Sequence, residues 1–421
     1  MGGDIAIQCM DVMSVFSLHI TDALERNRIS RELLALYTHR VLVQAGGAIA
    51  GVFTVIFVYQ YFNDSLWAVI ATFGSIYLGV AVAVPIGARL LRRIGTRTMI
   101  LLALPCAALG TAVLYNISEH GGVAGLSITA SLALFVIFSV AFKVLYWVPY
   151  HIDMSQLLDR SRRGFQLAFL QNTGDVNVAA MPFWGGLIVA SLGFGWLFLF
   201  SIAFIICAAL PLLWVSNRYE RYEWSYPETL RQFFSRRNRP LFFAFVGDGI
   251  QSGAQLIIWP LLVFLLLDGE FVALGAVAAL TLFGILLLRF ITGHFLDHGR
   301  KQSALAWGAL LTSSGWVLRL FAVSPITVVA IDTYHGFGQV VNRISVEAIS
   351  YEQAADNGRF VDEFTVLKEM GLNFGRAVTL IFVAIVAWWG GEYLGFTSGL
   401  LFAAAATLGT TWLTRAVFLR A

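Results

Sequence analysis

The chain has 421 residues, 58% of them hydrophobic and only 13% charged, with a formal charge of +3. A soluble globular domain carries about 45–50% apolar and about 25% charged residues. An ordinary water-surrounded fold is therefore excluded, whereas a bilayer removes the need to hide so much apolar surface.

Residues 1–37 are mixed polar and lack the basic, apolar, small-residue order of a signal peptide, which predicts a cytoplasmic N-terminal segment. A spanning helix needs about 20 apolar residues. Spans are predicted near 38–61, 66–88, 98–116, 124–149, 165–190 and 194–216. Six more follow near 241–267, 271–293, 302–322, 326–349, 361–389 and 395–416. The fold class is thus all-α and polytopic, with twelve transmembrane helices in two six-helix pseudo-symmetric bundles, 38–216 and 241–421. A polar cytoplasmic linker, 217–240, joins them.

Charge orients the spans. One set of loops holds Arg89, Arg92, Arg93 and Arg97, then Arg160, Arg162 and Arg163, then six arginines from Arg218 to Arg239, then Arg300, Lys301 and Arg359. The alternate loops carry no Lys or Arg. This is the positive-inside pattern, and it predicts both termini in the cytoplasm of a prokaryotic-type inner membrane.

Intramembrane charge costs at least ~2.5 kcal/mol per residue at the bilayer centre, so it is expected against a wet path or a partner helix. Spans 3, 6 and 12 lack charge in their apolar cores, and span 9 has only Arg319 near its outer end. Those four are predicted to face lipid. Lys143 on span 4, Asp175 on span 5, Asp248 on span 7, Asp332 and Arg343 on span 10, and Lys368, Glu369 and Arg376 on span 11 are predicted to line a central path.

Glu369 and Arg376 are seven residues apart and share a helix face. Glu369 is either a proton carrier paired with Arg376 or half of a static ion pair. Asp175 with Asn172 and Asn177, and Asp248 with Gln251, Gln255 and Trp259, form polar stripes that either line a cavity or bond neighbouring helices. Asp332, His335, Gln339 and Arg343 follow three- and four-residue steps along span 10, so they share one stripe. Asp248, Asp175 and Asp332 are the other proton-coupling candidates. Lys143 is followed by Trp147, Pro149 and His151. Gly46, Gly47 and Gly51, and Gly371 and Gly375, are small-residue stripes that permit close helix approach.

Cys9, Cys106 and Cys207 have neither disulfide nor metal spacing. The loose His151 and Asp153 pair is not a ligand set. Walker-type and nucleophile-elbow patterns are absent, so no metal, no cofactor and no enzymatic activity are expected.

After span 8 the chain has Gly293, Asp297, Gly299, Arg300 and Lys301, and after span 2 it has Gly87, Arg89, Arg92, Arg93, Gly95 and Arg97. These stretches resemble the paired cytoplasmic signature of the major facilitator superfamily, roughly G-x-x-x-D-(R/K)-x-G-(R/K)-(R/K). The second copy is one residue short. The first has lost its acid, with Leu91 or Arg92 in that place. On span 5, Pro182, Gly185 and Gly186 match the end of an exporter motif, whose two leading glycines are Asn177 and Met181 here. Phe364 to Glu369, followed by Gly375 and Arg376, is similar to uncharacterised prokaryotic members.

The resemblance implies alternating access, with Gly293, Asp297, Gly299, Arg300, Lys301, Arg92, Arg93, Arg162 and Arg163 in gating. The expected function is secondary transport of a small solute, coupled to protons or another ion, with the direction open and efflux suggested by span 5. A membrane sensor or assembly protein that kept the fold is the alternative. The expected partners are a small-molecule substrate, the coupling ion and the lipid bilayer, with no nucleic acid, and a monomer is expected.

Overall fold

A computed structural model describes residues 29–159, 166, 170, 174–176, 178–220, 222–236, 238–296, 301–356 and 361–418. Within these, it describes only the backbone of 240, 289–296, 301–306, 341–356, 361–362 and 410–418. Among the described residues there are helices and no strands.

The helices are α1 (Arg31–Tyr61), α2 (Leu66–Ile94), α3 (Thr96–His120), α4 (Ile128–Leu157), α5 (Met181–Leu192) and α6 (Phe194–Cys207). A short α7 (Tyr226–Phe233) follows, then α8 (Arg239–Gly253), α9 (Trp259–Leu266), α10 (Phe271–Leu296), α11 (Lys301–Leu318), α12 (Pro325–Asp356), α13 (Val361–Gly390) and α14 (Glu392–Phe418). Nine stretches among the described residues are long and apolar enough to cross a membrane, and the chain is a multi-pass membrane protein. Large apolar side chains on the outside agree: Leu78, Val82 and Ile86 on α2, Leu102 and Leu109 on α3, and Trp196, Phe200 and Ile206 on α6 are all exposed. In water such a surface would be an aggregation site.

Local chemistry sets the boundaries. Ser30, Ser65, Ser127 and Ser225 cap α1, α2, α4 and α7, each side-chain oxygen accepting a backbone N–H of the first turn. The helix α1 starts at Arg31 rather than near 38, because that cap and Glu32 support a polar first turn which an apolar window misses. A wide π-type turn at Ala254–Ile258 separates α8 from α9. Pro260 follows it and cannot donate the N–H that would close a regular turn.

Packing repeats along the chain. In the first set α1 packs on α5 and α6, α3 on α4 and α6, α2 on α4, and α5 on α6. In the second set α8 packs on α13 and α14, α11 on α12 and α14, α10 on α12, and α13 on α14. Each pair in one set has its counterpart in the other, with α1 to α6 answering in order to α8, α10, α11, α12, α13 and α14. Between the sets, α2 meets α13, α5 meets α10, and α1 meets α9. Exchanging the sets interchanges the first two contacts and preserves the third.

Small residues make the closest approaches. A Cβ at Gly375 would lie 2.2 Å from the Val246 carbonyl oxygen and 2.8 Å from the Gly249 Cα. One at Gly186 would lie 2.4 Å from the Phe271 carbonyl oxygen, and one at Gly275 2.4 Å from that of Pro182. On α1 a Cβ at Gly46 would lie 3.1 Å from Ser201 and Phe204 atoms, a looser approach, whereas Gly47 and Gly51 face open space. Gly375→Ala is therefore expected to force α8 and α13 apart and to destabilise by about 1–3 kcal/mol, the cost of overpacking. Gly47→Ala should be neutral. Melting midpoints of the two variants in detergent compare them directly, and equal midpoints would contradict the packing.

The predicted linker 217–240 is a folded strap. Helix α7 lies against both α2 and α13. The Tyr226 hydroxyl donates to the Val82 carbonyl at 3.3 Å, and the Glu223 N–H donates to the Glu363 carboxylate at 3.1 Å. Tyr222 is buried, its hydroxyl lies 2.5 Å from Thr229 Oγ1, and burial pushes its phenol up to about 12. Upstream, Asn217 donates to the Ile94 carbonyl at 2.9 Å and accepts from the Thr98 N–H at 3.3 Å. It thereby covers Gly95, whose φ of +78° strongly favours glycine.

Candidate functional site

Five helices bring polar side chains to the junction of the two sets. Tyr77 of α2 is the hub: Lys143 Nζ of α4 lies 6.0 Å from its ring centre, and the Arg376 guanidinium of α13 lies 5.5 Å away. Cations over an aromatic face are attracted by its quadrupole. Arg376 Nε donates to Ser252 Oγ of α8 at 2.9 Å, and its Nη1 donates to Asn373 Oδ1 at 3.3 Å. Arg40 of α1 stacks on α4, 4.6 Å from the Trp147 ring and 5.4 Å from Tyr150.

Glu369 is buried one turn before Asn373. The Asn373 amide donates to the Glu369 carbonyl at 2.8 Å and reaches its carboxylate at 3.5 Å. The predicted pairing of Glu369 with Arg376 is thus indirect: Asn373 stands between the two, because its shorter side chain lies on the same face one turn from each. The nearest basic partner across helices is His151 of α4, whose Nε2 lies 3.8 Å from Glu369 Oε1. The charges of Lys143, Lys368 and Arg376 also act on Glu369.

The wall of α8 and its wide turn holds Asp248, Gln251, Ser252 and Gln255. Asp248 is exposed, Gln251 is buried, and Gln255 is half-buried with its Oε1 enclosed and lacking a hydrogen bond. Asp175 is half-buried and has interaction partners. Its predicted companions Asn172 and Asn177 lie outside the described residues.

The span 10 stripe divides. Asp332 does not face the junction; it is buried against Arg319, which donates from Nε at 2.9 Å, with Nη2 also 2.9 Å from the same oxygen. Trp259 Nε1 donates to the other Asp332 oxygen at 2.8 Å. Arg319 lies between the rings of Trp259 and Trp316, 4.6 and 4.2 Å from their centres. The lipid-facing placement predicted for span 9 fails at this residue: Arg319, whose side chain is 1% exposed, turns inward because one Asp332 oxygen accepts from both its Nε and its Nη2 there. His335 is buried with Nδ1 3.1 Å from the Thr312 carbonyl, and its ring packs on Trp316. Gln339 is half-buried, and for Arg343 the backbone alone is described.

Of the gating residues, Arg92 and Arg93 are exposed in the last turn of α2, with Leu91 buried beside them. Arg162, Arg163, Asp297, Gly299 and Arg300 lie outside the described residues, and Gly293 and Lys301 are helical. On the same face Arg218 pairs with Glu32 at 2.6 Å and lies 3.7 Å from buried Asp153. This cluster clamps the ends of α1 and α4 to the strap.

Sequence reasoning missed Arg40, Tyr77, Ser252 and Asn373 in the site. Only Arg40 carried a signal, as a cation just inside a predicted span. Among the described residues no group of three or more His, Cys, Asp or Glu side chains could hold a metal ion. No protein-family model matches the chain, and no curated protein matches it in sequence. Its function is therefore read from the packing repeat and the chemistry at the junction.

Proposed function

We propose that this protein is a secondary transporter of a small solute, built as twelve spanning helices in two six-helix sets and working by alternating access. Both termini lie in the cytoplasm of a prokaryotic-type inner membrane, and proton movement through Glu369 drives transport. The observation that carries this reading is the placement of charge. Lys143 and Arg376, one from each set of a repeated packing pattern, meet on Tyr77 in mid-helix. Charge in the bilayer is costly and marks substrate or ion paths, and a site between two repeats is where rocking motion exposes it to each side in turn.

The contacts on the face opposite the arginine-rich loops suit one state of such a cycle. The Trp67 and Trp388 rings meet there at 5.9 Å between α2 and α13. Pro182 and Gly186 of α5 pack on Phe271 and Gly275 of α10. That second contact uses the residues of the partial exporter motif, and the direction of transport stays open.

Alternating access predicts that one central position reacts from both sides. With Cys9, Cys106 and Cys207 replaced by serine, Lys143→Cys should react with an impermeant thiol reagent in right-side-out and in inverted vesicles alike. Cross-linking cysteines at positions 67 and 388 should stop labelling from the outside only. Labelling confined to one side whatever the cross-link would refute transport. It would favour the sensor or assembly reading, to which the acid missing from the first signature lends weight.

A further inference from the structure

We propose that the solute is a small organic anion with a flat apolar body, an inference that rests on the transporter reading above. Lys143 and Arg376 lie close enough for each charge to act on the other, yet neither has a carboxylate within ion-pair distance among the described residues. Arg376 bonds only neutral groups, Ser252 and Asn373, and Lys143 makes no hydrogen bond there. Adding Arg40 and Lys368, four cations approach the junction. Glu369 is the acid among them, already contacted by Asn373 and His151. Exposed Asp248 and half-buried Asp175, counted in full, leave cations in excess.

Two half-buried cations in mid-membrane without a paired carboxylate repel each other and have lost part of their hydration, and a bound oxyanion relieves both costs. The guanidinium edge not facing Ser252 and Asn373 can donate to such an oxyanion, and the lysine adds a point charge from the opposite set. The walls beside them are aromatic. Tyr77 lies under both cations, and Trp147 and Tyr150 lie one and two turns beyond Lys143 on α4. Flat apolar groups pack well on such faces. Because the two cations come from different helix sets, an anion bridging them would also hold the sets together, as a solute must in an occluded state.

Probes of fixed charge test this without titration. Benzenesulfonate, its neutral sulfonamide and benzyltrimethylammonium share one ring and differ in charge. The purified full chain in detergent should show a saturable rise in melting temperature with benzenesulfonate and none with the other two. Half-saturation should need at least about tenfold more sulfonate in Lys143→Gln and in Arg376→Gln, while Lys143→Arg should stay near the parent. Melting without probe checks that each variant is folded. The proposal is overturned if benzenesulfonate gives no rise, if benzyltrimethylammonium gives the larger one, or if the sulfonate effect is equal in parent and both Gln variants. None of these results would touch two-sided labelling at position 143, so the transporter reading stands or falls separately.

Discussion

Glu369→Gln is expected to abolish gradient-driven accumulation of solute while leaving solute exchange across the membrane intact. Glutamine keeps the shape and the Asn373 contact but cannot release a proton, so the coupling step is lost and the rocking step is kept. Glu369 is buried on α13 and faces His151 and Lys143 on α4, from the other helix set. When ionised it attracts both and draws α4 toward α13; when protonated it lets go. A coupling acid needs this property, because its proton must change the relative stability of two arrangements. A change of ~1.4 kcal/mol shifts their populations tenfold.

Proteoliposomes with an imposed pH gradient measure accumulation, and the same vesicles without a gradient measure exchange. A companion measurement needs no solute. The labelling rate of a cysteine at Trp67 should vary with pH in the parent and be flat in Glu369→Gln. His151 carries an ionisable ring against Glu369, so His151→Gln is the control: it should weaken the variation without removing it. Undiminished accumulation in Glu369→Gln would move the coupling role to Asp248, Asp175 or Asp332.

The helices were legible in the sequence because a spanning segment is a local property. Apolar length alone placed both ends of α10, α13 and α14 within three residues, but α4 runs on to Leu157, α6 stops at Cys207 and α12 runs on to Asp356, and a polar cap extends α1 back to Arg31. Charge was legible in part. Lys143, Glu369 and Arg376 stand out on apolar helices whatever surrounds them. Their partners did not stand out: Tyr77, Ser252 and Asn373 are ordinary residues that matter only because helices far apart in sequence converge. Asn373 shows the limit best. Seven-residue spacing put Glu369 and Arg376 on one face, and the residue between them on that face decides that they meet through an amide. The strap was hidden for a different reason. Its capping serine, with Glu228 three residues on, is a helix start, but about two turns of amphipathic helix in a polar segment look like a tether until α2 and α13 cover them.

Asp332→Ala is expected to destabilise the protein by about 3–5 kcal/mol, the cost of leaving a buried charge without its partner. Arg319 would keep its charge between Trp259 and Trp316 with no acceptor, and the Trp259 N–H would lose its bond as well. The same physics makes the double replacement mild. Removing both charges with Arg319→Met and Asp332→Leu removes two desolvation costs along with one attraction, and such exchanges are often neutral or stabilising. The expected order of melting midpoints in detergent is therefore Asp332→Ala lowest, with the double variant near the parent or above it. Non-additivity of this sign is what a directly coupled pair produces. Were Asp332 instead the proton carrier, the double variant would unfold normally but lose accumulation, and Asp332→Asn, which still accepts from Trp259, would behave like Glu369→Gln. Measuring accumulation in the stable double variant separates the two roles: retained accumulation makes the pair a fastening between α11 and α12, and lost accumulation makes it part of the proton path.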